Sequence, residues 1–246
     1  MGFEHSGITI AVKATVFPLR LRLHYKTALA AGVRSKNLRL FSPLAIYFLI
    51  LFYALNCNAA ENYVPIALPY DVGVKLPRNW VVLSGNQRVT LDSTVQSRLE
   101  SVGMFDASSD LNFAANLYDE TKKTQAVFNI RYYPDMELTQ IDARAASAQD
   151  IKELDDELKS NIAQAGQILG YSILKWLGTS RKTLNGTVSF ITEYERSPIK
   201  NNGNFRVRLV RVFNGKASFT ITVSYRVNQE FLLRPICDYI IDSIKG

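Results

Sequence analysis

The architecture of this chain is set by the stretch YSILKWLGTSRKTLNGTVSFITEYERSPIKNNGNFRVRLVRVFNGKASFTITVSYRV, residues 171–227. Apolar and polar residues alternate along it with a period of two, which is typical of strands that bury one face. Three Asn-Gly pairs interrupt the alternation, and both residues of such a pair tolerate the positive φ angles of a tight hairpin turn. The stretch therefore predicts a meander of four antiparallel strands, at residues 172–182, 187–196, 204–213 and 217–227.

The segments before and after the meander are predicted to add helices and further strands. The region 139–169 is predicted to be helical, and its strongest part begins at Ser147 with Asp150 three residues later, a capping-box pattern. Other predicted elements are an extended lead-in at 61–69, strands at 71–76, 80–83, 111–118 and 125–133, and helices at 90–102 and 232–244. The predicted fold class is α+β, an antiparallel β-sheet meander sandwiched by helices in an α/β/α arrangement.

A basic leader and an apolar run precede this globular part. Residues 44–55 are all apolar or aromatic. Their number fits the hydrophobic region of a signal peptide, about 7–15 residues, and falls short of the roughly 20 of a membrane-spanning helix. Small residues at 57–60 offer a cleavage site. The chain is thus expected to comprise a leader with signal peptide, residues 1–59, and one domain, residues 60–246.

Several features of the leader stay open at the level of sequence. An ordinary signal peptide would begin near Val33, so residues 1–32 are interpreted as an over-extended gene model. Two alternatives to cleavage remain: the segment 43–56 is kept as an uncleaved anchor, or Cys57 is lipidated. In each case the domain is expected to be exported, and to be periplasmic or attached to the envelope.

Charge and histidine usage argue against several classes of function. The formal net charge is +7, but seven cations and one anion lie ahead of the apolar run, so the domain itself is nearly neutral and no nucleic-acid partner is expected. Both histidines, His5 and His24, lie in the leader. The domain therefore lacks a Ser-His-Asp or Cys-His nucleophile and a His-based zinc site. No cofactor or metal site is predicted, and Cys237 is expected to be a core residue.

One group of charged residues is a candidate docking site. Arg206, Arg208 and Arg211 lie on the strand that follows the Asn202-Gly203 turn, opposite the strand that carries Glu193 and Glu195. The pattern has two interpretations. The charges pair across the two strands, with Glu195 near Arg206 or Arg208, or they form an exposed polar face to which a protein partner docks.

Four segments together resemble the PsbP-like fold. They are LPRNW at 76–80, LNGTVSFITEYE at 184–195, SFTITVSYR at 218–226 and DYIIDSI at 238–244. The group includes the oxygen-evolving-complex protein PsbP, the Mog-type Ran-binding proteins and the bacterial DcrB-like proteins. The resemblance implies an antiparallel sheet between helices on both faces and a non-catalytic docking or assembly role. It supplies no functional residues.

The sequence therefore predicts an exported, non-catalytic binding or assembly module that acts in the envelope through a protein partner. Two alternatives stay open. One is a small-ligand carrier with a pocket between sheet and helices. The other is a hydrolase that uses carboxylates alone, with a pair drawn from Glu193, Glu195, Asp119 and Glu120. The sequence does not name the partner or the oligomeric state.

Overall fold

The computed structural model describes residues 62–68, 71–100, 110–133, 138–199, 203–213 and 217–245. Its strands are β1 Tyr63–Ala67, β2 Gly73–Pro77, β3 Val81–Val82, β4 Asp110–Tyr118, β5 Thr124–Tyr133, β6 Ile173–Leu184, β7 Thr187–Arg196, β8 Phe205–Phe213 and β9 Ser218–Arg226. Its helices are α1 Gly85–Glu100, α2 Gln140–Ala145, α3 Ala148–Leu169 and α4 Glu230–Asp242, the last preceded by a 3₁₀ turn at Val227–Gln229.

The predicted meander is confirmed, and its four strands belong to a larger sheet of seven. Within the described ranges, seven strands pair antiparallel in the order β3-β4-β5-β9-β8-β7-β6, and β1 and β2 form a separate two-stranded ribbon. The turn between β6 and β7 has Asn185 at φ 47° and Gly186 at φ 89°, the left-handed angles that an Asn-Gly hairpin requires. The last strand of the meander returns to pair with β5.

Both faces of the sheet are covered, as the α/β/α prediction requires. On one face, which we call the α4 face, Leu233, Cys237 and Ile240 of α4 pack in one apolar cluster with Phe128 of β5 and Ile221 of β9. The β1–β2 ribbon covers the same face through Val74 and Leu76. The opposite face carries α3, whose Leu158 and Ile162 cluster with Tyr194 of β7 and Val207 of β8. The α+β class is therefore confirmed.

The predicted helical region 139–169 is two helices rather than one. The backbone is extended at Ala146 (ψ 125°) and Ser147 (ψ 171°), which separates α2 from α3. Each helix begins with its own capping box, Thr139 with Asp142 and Ser147 with Asp150. A second cap inside the region supplies hydrogen bonds for a new helix start, so the chain breaks the first helix there.

Three other boundaries differ from the sequence prediction. Helix α1 begins at Gly85 instead of residue 90, because Ser84 and Gln87 exchange hydrogen bonds at its start. The extended lead-in is strand β1, which pairs with β2. The closing helix begins at Glu230, two residues before the predicted position.

The leader lies outside the described residues. The expectations about residues 1–32, the anchor segment 43–56, Cys57 and the boundary between 1–59 and 60–246 therefore stay predictions. Within the described ranges, no helix is long and apolar enough to cross a membrane.

Candidate functional site

The predicted charge pairing between β7 and β8 is confirmed. Glu195 lies opposite Arg206 and Glu193 opposite Arg208 in the register of the two strands. The Arg206 guanidinium donates to Glu193 Oε1 at 2.7 Å and to Glu195 Oε1 at 2.5 Å. Arg208 Nε lies 3.4 Å from Glu193 Oε2, and Arg208 Nη1 donates to Asp238 of α4. The two arginines therefore join the sheet to the last helix.

The expectation of an exposed polar face is wrong in two respects. Arg206, Arg208 and Arg211 are only 9%, 6% and 7% exposed, so their guanidinium groups are not presented to a partner. Residues of even number on β8 share the α4 face, since Val210 and Val212 belong to its cluster. Successive strand residues alternate between faces. Arg211 therefore lies on the opposite face and does not belong to the same group of charges.

The ion-pair network has a structural role, because it joins α4 to β7 and β8. Burial opposes the charge on Arg206, but its hydrogen bonds to Glu193 and Glu195 outweigh that effect and raise its pKa above the ordinary value. The pKa of Arg208 is raised in the same way, with burial opposing and the Asp238 hydrogen bond favouring the charge. Glu230 of α4 lies 3.9 Å from Arg206. These acids are held as counter-ions of the arginines.

Of the four acids of the hydrolase alternative, Glu193 and Glu195 lie together on β7, whereas Asp119 and Glu120 lie in the turn between β4 and β5. Glu193 and Glu195 form ion pairs with the same arginine, Arg206. Asp119 Oδ1 accepts hydrogen bonds from Thr121 and from the backbone N–H of Lys123, and these bonds lower the pKa of Asp119. That is the chemistry of a hairpin turn. Among the described residues, no group of three or more His, Cys, Asp or Glu is placed to hold a metal ion.

Cys237 is buried in the α4 face, as predicted. Burial raises the pKa of its thiol to about 12, so the nucleophilic thiolate is nearly absent at neutral pH. We expect Cys237 to remain unmodified by iodoacetamide at pH 8 in the folded protein and to react fully in 6 M guanidinium chloride. Peptide mass spectrometry distinguishes it from Cys57. Modification of Cys237 in the native protein, at a rate near that of a free thiol, would contradict the burial.

Among the described residues, the most exposed large apolar side chain, that of Phe231, lies on the outside of α4. Phe231 is 92% exposed and Leu232 is 60% exposed, and Pro235 and Tyr239 continue the same side of the helix. The Tyr239 ring lies 4.2 Å from the ring of Tyr63, which connects α4 to the β1–β2 ribbon. We call Phe231, Leu232, Pro235 and Tyr239 the α4 outer surface. Helix α4 thus buries one apolar side against the sheet and exposes another to solvent.

A second unusual feature is a group of buried polar residues on the face opposite α4. Its members, which we call the polar floor, are Asn116, Asn129, Arg131, Thr220, Thr222 and Ser224. They belong to β4, β5 and β9, and each alternates with apolar residues of the α4 face. Helix α1 lies beside them, and its Asp92 forms an ion pair with Arg131.

Two atoms of the polar floor are buried without a hydrogen-bond partner, Asn129 Oδ1 and Ser224 Oγ. A buried polar atom that lacks a partner costs about 1–3 kcal/mol. Native proteins seldom leave such atoms without water, an ion or a ligand. Sequence reasoning missed the polar floor because Ser218, Thr220, Thr222 and Ser224 alternate as the solvent face of a strand does.

The fold and these features define a class of protein, an α+β domain whose antiparallel sheet lies between helices. Its ion-pair network, centred on Arg206 and Arg208, joins the sheet to α4. No family model matches the sequence, and no curated protein matches it. Several solved structures are similar to it. The solution structure of cyanobacterial PsbP (CyanoP) from Synechocystis sp. PCC 6803 has a TM-score of 0.46 and 10% identity, covering 75% of this chain and 92% of that one.

Two other structures are more distant by TM-score. PA94 from Pseudomonas aeruginosa, described as a protein of unknown function and putative regulator, has a TM-score of 0.37 and 12% identity, covering 75% of this chain and 97% of that one. LpqN of Mycobacterium tuberculosis, described as involved in cell envelope biogenesis, has the same TM-score and identity, covering 75% and 91%. The predicted PsbP-like resemblance is confirmed, and similarities this distant carry no argument about function.

Proposed function

We propose that the domain is an exported, non-catalytic binding or assembly module that acts in the cell envelope through a protein partner. The apolar run 44–55 supports export. The absence of histidine from residues 60–246 and the use of Glu193 and Glu195 as counter-ions of Arg206 support a non-catalytic role. The observation that carries the proposal is the exposure of Phe231 on the α4 outer surface.

The α4 outer surface suits a protein partner of defined chemistry. Contiguous exposed apolar side chains are uncommon on monomers and often mark an interaction site, and a protruding aromatic ring is a frequent anchor in interfaces. The Phe231 ring protrudes from the helix, so the partner is expected to present an apolar pocket that receives it. Helix α4 carries three acids, Glu230, Asp238 and Asp242, and one cation, Arg234. Each of these acids already has a counter-ion in the domain, so the contact with the partner is expected to be mainly apolar.

The proposal is tested by site-specific photo-crosslinking in intact cells. A photo-reactive phenylalanine analogue at position 231 is expected to give a crosslinked product with one envelope protein, identified by mass spectrometry. The same analogue at Val89 of α1 is the control, because Val89 is 69% exposed but lies outside the α4 outer surface. A product with lipid alone, or with a second copy of the chain alone, would contradict the protein-partner proposal.

The identified protein is then purified and its affinity for the domain is measured directly. Phe231→Ser is expected to weaken binding at least about tenfold while changing the free energy of unfolding by less than about 0.5 kcal/mol, since the ring is exposed. Val89→Ser is expected to leave the affinity unchanged. Equal affinities for the two variants would show that α4 is not the docking element.

A further inference from the structure

The polar floor consists of polar side chains that are buried in the structure. In the sheet register Asn129 lies opposite Thr222, and Arg131 lies opposite Thr220 on the same face. Ser224 lies one pair further along that face. On the α4 face, the same strands present Phe128, Ile130, Ile221 and Val223. A sheet that is buried on both faces usually carries apolar side chains on both. The polar side chains of the floor therefore need hydrogen-bond partners, and two of their atoms have none.

Helix α1 is attached over this region in two different ways. Toward α3 its Val95 and Leu99 are buried in an apolar cluster with Leu158 and Ile162. Toward the floor its Asp92 forms the ion pair with Arg131 and also accepts a hydrogen bond from the backbone N–H of Leu111 at 3.4 Å. The apolar attachment is independent of charge, whereas the polar one can be exchanged for any other anion that reaches Arg131.

We propose that the polar floor is a binding site for a small organic anion that also carries O–H or N–H donors, and that Asp92 occupies the position of its anionic group in the empty protein. The ligand carboxylate or phosphate takes the place of Asp92 on Arg131, because a guanidinium binds these planar or tetrahedral anions in the same manner. Asn129 Oδ1 accepts a ligand donor, and Ser224 Oγ bonds to a second polar group. Both atoms thereby gain the partners they lack in the empty site.

The site requires α1 to move away from the floor. Asn129 Oδ1 and Ser224 Oγ are inaccessible to solvent, and Arg131 is held by Asp92 of α1. Displacement of Asp92 releases the attachment of α1 to Arg131, while Val95 and Leu99 keep the helix joined to α3. The protein therefore exists in a closed form, in which Asp92 competes with the ligand, and an open form, which binds it.

The test is titration calorimetry with the protein as it is isolated from cells. The probes are L-glutamate, L-malate and glycerol 3-phosphate, with sodium sulfate and glycerol as probes that lack one half of the proposed chemistry. At least one of the first three is expected to bind saturably with one site per chain, and more tightly than sulfate or glycerol. Amides of α1 are expected to exchange hydrogen faster in the bound protein. If none of the three anions bound saturably up to about 10 mM, the proposal would be overturned, because a dedicated site is expected to bind its ligand with a dissociation constant below that concentration.

Two variants distinguish this site from binding elsewhere. Asp92→Asn removes the competing charge at nearly constant volume, and the affinity for the anion is expected to rise at least about fivefold. Asp156→Asn, in the exposed Lys152–Asp156 pair of α3, is the matched control and is expected to change nothing. Asn129→Leu replaces an unsatisfied polar group with an apolar one, so we expect a higher Tm and loss of binding. If Asp92→Asn or Asn129→Leu left the affinity unchanged, the assignment of the ligand to the polar floor would be overturned. The result of this titration is independent of the crosslinking at Phe231, so either proposal can fail alone.

Discussion

Replacement of Arg206 by methionine is expected to lower the free energy of unfolding by about 3 kcal/mol at neutral pH. Methionine fills most of the volume of the arginine stem but leaves Glu193 and Glu195 without their shared counter-ion. Removal of one partner from a buried ion pair typically costs 3–5 kcal/mol. We place this case at the lower end, because both glutamates keep some contact with water, and Arg208 still lies near Glu193. Urea denaturation followed by circular dichroism measures the change.

Two comparisons separate this effect from the removal of a surface charge. Lys152→Met breaks an exposed pair with Asp156 on α3 and is expected to leave the free energy of unfolding nearly unchanged. The triple variant Arg206→Met, Glu193→Gln, Glu195→Gln removes the unpaired charges as well, and most of the lost stability is expected to return. If Arg206→Met cost no more than Lys152→Met, the ion pairs of Arg206 with Glu193 and Glu195 would not stabilise the fold as their burial indicates.

The sequence predicted the elements whose signals are local. Each Asn-Gly turn fixes the register of the two strands it joins, so the meander from β6 to β9 could be located from the residues alone. The capping pattern at Ser147 and the apolar stripe that follows it located α3 for the same reason. These signals operate within ten residues of the structure they specify, and no information about distant partners is needed.

The pairings that depend on distant residues could not be predicted. Nothing in β5 or β9 identifies the other as its neighbour, because their pairing joins segments about ninety residues apart through side chains that would suit several arrangements. The polar floor depends on that pairing and on the placement of α1. In the sequence Thr222 has the pattern of a solvent-facing residue, and only the structure shows that it is buried.

Two features of the candidate sites could have been found in the sequence. Arg206 and Arg208 differ from Arg211 in parity, and side chains of a strand alternate between faces, so Arg211 could have been assigned to the other face. The exposure of Phe231 was missed because the last helix was predicted to begin one residue after it. A Glu at position 230 is favoured in the first turn of a helix, and that preference marks the true start.

Gly166→Ala is expected to destabilise the domain by about 1–3 kcal/mol. The usual expectation for glycine to alanine inside a helix has the opposite sign, a gain of about 1 kcal/mol. At this position a Cβ atom would lie 2.8 Å from the Tyr171 ring and 2.8 Å from the Tyr171 carbonyl oxygen. Tyr171 is fixed in turn, since its N–H donates to the Gly166 carbonyl at 2.8 Å. Helix α3 therefore needs glycine where the chain reverses into β6.

The matched control for this prediction is Gly85→Ala, at the first residue of α1, where an added Cβ meets no atom within 4 Å. That change is expected to be neutral or stabilising. In the double variant Gly166→Ala, Tyr171→Leu, the contact with the ring is relieved but the contact with the backbone oxygen remains. We therefore expect the penalty of the alanine, measured by double-mutant cycle in urea, to fall without reaching zero. A stabilising Gly166→Ala would mean that α3 and Tyr171 separate at little cost, and the close approach at the end of this helix would not be a requirement of the fold.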